Sequence, residues 1–249
     1  MAGHSHWRQI KHKKQAADAK RGKLFSKLSR AIIIAAREGG GDPSANLKLR
    51  YAIDRAKAAS MPADTIERAI KKGTGELGAE RLEEITYEGY GPGGVGILVE
   101  VLTDNRNRTG AELRRLFERA GGKLATSGSV AWMFETRGVC TVEGQLDPDT
   151  LLEVALEAGA DDVKPVDDAY EVYCDPSQFQ QLKNALEAAG FSLRTAEIAK
   201  IPNVTVDIDD PEVGRKLLKL LDELDEHDDV QNVYANYTMS DELMQAAAS

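Results

Sequence analysis

Nine cations stand among the first thirty residues: Arg8, Lys11, Lys13, Lys14, Lys20, Arg21, Lys23, Lys27 and Arg30, against the single acid Asp18. Ammonium and guanidinium groups attract phosphate by direct charge and by releasing condensed counterions, which requires no particular base sequence. The surplus is regional. Residues 1–72 carry 17 basic and 6 acidic side chains, a net of +11, out of 32 and 41 in the whole chain. Residues 73–249 are left with 15 and 35, a net of −20. Such a split points to one region that meets a polyanion and another that stays soluble beside it.

A second set of cations lies in DNRNRT, Asp104 to Thr109, where Arg106 and Arg108 precede Arg114, Arg115 and Arg119. A strand end that opens a helix favours anions through its free N–H groups, and the arginine fork suits phosphate oxygens. Spacing alone allows an equal alternative, in which Asp104 and Thr109 cap the helix and the arginines pair with nearby acids. The glycine-rich GYGPGGVG, Gly89 to Gly96, lacks the Gly-Lys-Ser/Thr ending of a phosphate loop and leads into a strand, so it reads as a turn. His4, His6 and His12 sit in the basic arm, a poor host for a divalent cation, and His227 is far away in sequence. No metal and no cofactor are expected. Serine, cysteine, histidine and carboxylate residues form no recognisable catalytic motif, which points away from an enzyme. Cys140 and Cys174 stand alone in apparent strands and read as buried thiols in a reducing compartment.

The elements that would position these groups follow from periodicity. Residues 1 to about 15 are too polar for a core and read as an arm. From Gln15 to Arg37, Leu24, Leu28, Ala31, Ile32 and Ala35 share one helical face while Lys20, Lys23, Lys27 and Arg30 share a neighbouring one. Gly39 to Gly41 end that helix. Two more helices are expected, from Pro43 or Ser44 to about Ser60 and from Ala63 to Lys72. GTGELGAE then has linker composition.

Beyond it the period becomes alternating. Strands are expected at Leu82 to Tyr87 and Val95 to Thr103, a helix at Gly110 to Ala120, and strands at SGSVAWMFE and RGVCTVEG. Helix Leu151 to Ala158, strand AYEVYCD, helix Gln178 to Ala189 and strand LRTAEIAKIP follow. The order across residues 133–199 is read as β-α-β-β-α-β, the ferredoxin-like arrangement. NVTVDI, a helix from Glu212 to Leu224 and VQNVYANY give one more β-α-β, which needs partner strands from residues 82–132. The expected fold is therefore α+β with three domains: a basic helical domain at 1–78, a discontinuous α/β domain at 79–132 plus 200–239, and a ferredoxin-like domain at 133–199. Aromatic content of 6% argues against base stacking as the main mode of recognition. AIIIAA is too short to span a membrane, and the N-terminus has no signal-peptide core, so a cytoplasmic chain is expected.

Several stretches together resemble the YebC family: MAGHSHW with KHKK and DAKRGKLFSKL, then GGGDPSANLKLR, YEGYGPGG, TDNRNRT and GSVAWMF. The likeness is dense from Met1 to about Phe134 and looser beyond. That family includes bacterial proteins described as probable transcriptional regulators and the mitochondrial translational activator of cytochrome oxidase subunit one. The resemblance implies three domains, no catalytic residues and contact with nucleic acid, either DNA or ribosomal RNA. It places that contact on Lys11, Lys13, Lys14, Lys20, Arg21 and Lys23, and secondarily on Arg106 and Arg108. Lys27 and Arg30 join the set because they continue the basic face of the first helix. A protein partner could meet the acidic α/β part.

Overall fold

A computed structural model describes residues 18–78, 82–144, 147–166, 168–240 and 242–244. Helix α1 (Asp18–Gly39) packs against α2 (Leu47–Ala58) and α3 (Ala63–Gly73). The run Ile32 to Ala36 is buried all round, because α2 and α3 cover part of it and Leu82 and Leu102 of the following sheet cover the rest. Each buried Leu or Ile contributes roughly 1.5–3 kcal/mol. Asn46 joins two of these helices. Its Oδ1 accepts from Leu49 N at 3.0 Å to start α2, and its Nδ2 donates to the Ala35 and Gly40 carbonyls at 2.7 and 2.8 Å where α1 ends. Gly73 lets α3 close on α1: a Cβ there would stand 2.5 Å from the Ile33 carbonyl oxygen.

The next elements are β1 (Glu83–Tyr90), β2 (Gly96–Thr103), α4 (Arg106–Arg119) and the two-residue β3 (Lys123–Leu124). Between β1 and β2 the glycine turn forms one turn of 3₁₀ helix, with Gly93 and Gly94 at φ 73° and 77°. A Cβ on Gly93 would meet Ile208 at 2.7 Å. The turn is thus a packing element, as its sequence suggests.

Helix α4 begins at Arg106, four residues before the expected Gly110. The Asn105 side chain caps it by accepting from Arg108 N at 3.1 Å, so Asn105, and neither Asp104 nor Thr109, is the N-cap. The stretch SGSV is also not a strand. Glu88, a buried carboxylate on β1, accepts from Gly128 N and Val130 N at 2.6 Å and from Ala131 N at 2.9 Å, which fixes the segment as a loop.

A single long strand β4 (Phe134–Glu143) follows that loop, then α5 (Pro148–Glu157), β5 (Ala160–Val166), β6 (Ala169–Cys174), α6 (Phe179–Ala188) and β7 (Ser192–Pro202). Strand β5 was not singled out by periodicity. Ala160 is its one buried residue, with Val163 and Val166 half-buried three residues apart, so it shows no alternation. The sheet order is β5-β6-β4-β7, antiparallel throughout, with α5 and α6 over the face that carries Cys140, Val142, Val172 and Cys174.

Strand β8 (Val206–Ile208), α7 (Pro211–Glu226), β9 (Val230–Ala235) and β10 (Tyr237–Met239) follow, and of the two strands expected to complete the earlier sheet only the second, β9, joins it. β9 pairs antiparallel with β2, giving the order β3-β1-β2-β9, while β8 and β10 form a separate parallel pair. The helices α4 and α7 cover one face of that sheet. On the other face Leu98, Val130 and Tyr234 pack with Val139, Tyr173 and Ala199 of the β4 sheet. The helical bundle touches this second sheet's layer too: Tyr51 lies edge-on to Phe179 at 5.4 Å.

Candidate nucleic-acid interface

The expected phosphate ligands divide into three groups. Lys11, Lys13 and Lys14 lie outside the described residues. Lys20 and Arg21 fall in the first turn of α1. Lys23, Lys27 and Arg30, spaced four and three apart on α1, run along the C-terminal end of α7 and the turn that leads into β9. Lys23 Nζ stands 3.8 Å from Asp228, and Lys27 Nζ donates to the Asp225 carbonyl. Arg30 Nη1 donates to the Asp228 carbonyl at 2.8 Å and to Asp229 Oδ1 at 2.7 Å. Cations suit this place because the last carbonyls of a helix carry its negative dipole end. The turn adds Asp225, Glu226, Asp228 and Asp229 to that field.

Asp229 is the hub. Its side chain is 3% exposed, with Arg30 on one oxygen and Arg108 Nη2 on the other at 2.7 Å. Thr109 donates to it at 2.7 Å and Thr103 at 3.1 Å. Burial pushes its pKa upward, but the hydrogen bonds from Thr109, Arg108 and Arg30 outweigh that and hold it at about 2. One carboxylate therefore joins α1, β2, α4 and β9. Arg108 also pairs with Asp104 at 3.0 Å, which realises the alternative in which this arginine meets acids of its own chain. Arg106 has a different position: it is exposed at the start of α4, and among the described residues no carboxylate stands within ion-pair distance of it.

Glu112, His227 and Asp229 place ligand atoms within 4.8 Å of one another. Their lone pairs are already committed. His227 Nδ1 accepts from Asp229 N at 3.1 Å and Nε2 meets Glu112 at 3.0 Å, while two guanidiniums occupy the Asp229 carboxylate. A divalent cation there would face both arginines at close range, so the donor set does not suit a metal. Cys140 and Cys174 are buried, and burial pushes their thiols up to about 12 and 11, so neither is a thiolate at neutral pH.

Two family profiles match the chain. The one described as the TACO1/YebC protein N-terminal domain matches residues 5–76, and the one described as TACO1/YebC second and third domain matches residues 82–237. The chain belongs to the TACO1/YebC family. Relatives in that family include a "probable transcriptional regulatory protein" of Dictyoglomus turgidum, 52% identical over 99% of both chains. Another of the same description, from Pelotomaculum thermopropionicum, is 53% identical over 97% of this chain and 100% of its own. A crystal structure of a conserved hypothetical protein from Aquifex aeolicus has a TM-score of 0.85 at 49% identity, covering 95% of this chain and 98% of that one. That protein and this chain thus share the mixed α/β fold over nearly their full lengths.

The basic face of α1 was legible in the sequence; its acidic counterpart was not recognised. The run ELDEHDD, Glu223 to Asp229, is the signal that could have found it. Five carboxylates in seven residues at a helix end are a natural partner for an amphipathic helix whose polar edge is cationic.

Proposed function

We propose that this chain is a non-enzymatic regulator of gene expression that binds nucleic acid through its basic N-terminal region, as a DNA-binding transcriptional regulator contacting the phosphate backbone. The carrying observation is the charge segregation, +11 in residues 1–72 against −20 in the remainder. The relatives' description as probable transcriptional regulatory proteins supports the regulator reading. In this proposal Lys11, Lys13, Lys14, Lys20, Arg21, Lys23 and Arg106 are the contacts. Lys27, Arg30 and Arg108 contribute by fixing α1 against the α4–β9 corner, where they already hold acids of the chain. The working units are three domains, 1–78, 79–132 with 200–239, and 133–199, in a cytoplasmic protein whose acidic part meets solvent or a protein partner.

A second reading is a folded RNA such as ribosomal RNA. Val139, Tyr173 and Ala199, on the sheet face where RNA-binding sheets display base-stacking aromatics, are buried against Leu98 and Tyr234. Recognition would then rest on backbone and shape, which a folded RNA offers as readily as DNA. The test is crosslinking in cells with sequencing of bound DNA and RNA, for the wild type and for K11E/K13E/K14E. Promoter enrichment lost in the variant supports the transcriptional reading. Ribosomal RNA enrichment lost the same way selects the translational one, and no difference between the two proteins overturns both.

A further inference from the structure

Helix α4 holds five of the 15 cations in residues 73–249: Arg106, Arg108, Arg114, Arg115 and Arg119. The structure sorts them by side. Arg108 and Arg119 pair with Asp229 and Glu223, at 2.7 and 2.6 Å, and Glu112 between them meets His227. That flank is tied to α7 and the turn after it. The opposite flank is the i, i+4, i+8 ridge of Arg106, Gly110 and Arg114, which lies along β1. There the Tyr87 hydroxyl donates to the Arg106 carbonyl at 3.1 Å, and a Cβ on Gly110 would meet that hydroxyl at 3.2 Å. Arg115 stands at the outer crest, and Lys123 follows on β3, the edge strand beyond β1.

Arg106, Arg114, Arg115 and Lys123 are all exposed, and among the described residues none of them has a carboxylate within ion-pair distance. This happens in a region with twenty more acids than bases. Glu118, one turn beyond Arg114, and Glu83 of β1, whose charge reaches Tyr87 alongside that of Arg106, are anions on this side, and the four cations leave the flank net positive.

We propose that this flank, Arg106, Arg114, Arg115 and Lys123, is a second phosphate-contact surface, seating the backbone of the same nucleic acid that the N-terminal region binds. It rests on the function proposed above and extends it across two parts of the molecule. Arg106 and Arg114 are separated by about 12 Å along the helix axis, the axial rise of roughly three to four phosphates on one strand of a duplex. The Asp229 clamp ties the start of α4, through Arg108, to Arg30 of α1, so the helix that carries this flank is joined to the helix that carries the basic face. The partner is a polyanion with regularly spaced charge, which spans both surfaces without requiring base contacts.

The test uses the full chain with a mixed-sequence DNA duplex and, separately, purified ribosomal RNA, titrated at several salt concentrations. R114Q/R115Q is compared with wild type, with R119Q and with K11E/K13E/K14E. R119Q lies on the same helix and removes a guanidinium that is already paired. The expected result is about a tenfold or greater loss of affinity for R114Q/R115Q at low salt, a salt slope shallower by about two, and little change for R119Q. Wild-type affinity and slope in R114Q/R115Q, with K11E/K13E/K14E impaired, overturns this inference and leaves the proposed function standing. Equal losses in R114Q/R115Q and R119Q also overturn it, since general charge would then explain the effect. Wild type that binds neither nucleic acid overturns the proposed function and this surface together.

Discussion

Asp229 is the residue on which several parts of the molecule depend. A buried carboxylate costs several kcal/mol to desolvate unless its lone pairs are met, and here four donors meet them. D229N keeps the volume but removes the charge and turns an amide N–H₂ toward a guanidinium. We expect a loss of about 2 kcal/mol in urea unfolding, below the roughly 3–5 typical of a fully buried pair, because Arg108 keeps water on one side. The pH dependence has a definite sign. The folded-state pKa of about 2 lies below the ordinary value of 3.8, so the stabilisation is complete above about pH 4 and is lost as pH falls toward 2. In D229N that acid-induced loss should shrink, as read by unfolding at pH 3 and pH 6. Identical pH profiles in the two proteins would contradict the clamp.

At the scale of elements, most of the fold was legible because periodicity and punctuation agreed. Pro62 and Gly73 bracket α3, and Leu28, Ile32 and Ala35 lie on the buried side of α1 as their spacing required, whereas Leu24 of the same expected face is 40% exposed and Ala31 half-buried. The failures have separate causes, a carboxylate distant in sequence in one case and an unmarked local cap in another. Glu88 makes a loop of SGSV, and Asn105 starts α4 early. Strand β5 gave no alternation because its inward residues, Ala160, Val163 and Val166, fall three apart across a register shift. Asn46 is the sharpest case of one side chain serving two elements. N46A removes the α2 cap and leaves the carbonyls of Ala35 and Gly40 without their donor. We expect a loss of about 2 kcal/mol, more than the roughly 1 of an ordinary N-cap. Amide exchange should quicken at both α1's end and α2's start; quickening at α2 alone would show that the second role is not real.

For the whole molecule, charge is the organising quantity. The cationic edge of α1 was visible in the sequence, but its division between internal and external partners was not, since that depends on where residues 223–229 arrive in space. Bringing β9 beside β2 places the acidic turn against α1, and Lys27 and Arg30 of that edge are thereby engaged, while Lys23 stays exposed 3.8 Å from Asp228. In the proposed function the polyanion is held by the arm, by Lys20, Arg21 and Lys23 of α1, and by the free flank of α4. The most direct test of this account is the salt dependence of nucleic-acid binding by the full chain, wild type beside K11E/K13E/K14E. The account predicts a log-log slope of about −3 or steeper for wild type, shallower by two to three in the variant. An affinity independent of salt, or a slope unchanged in the variant, would contradict the claim that this protein holds nucleic acid by its phosphates through the N-terminal region.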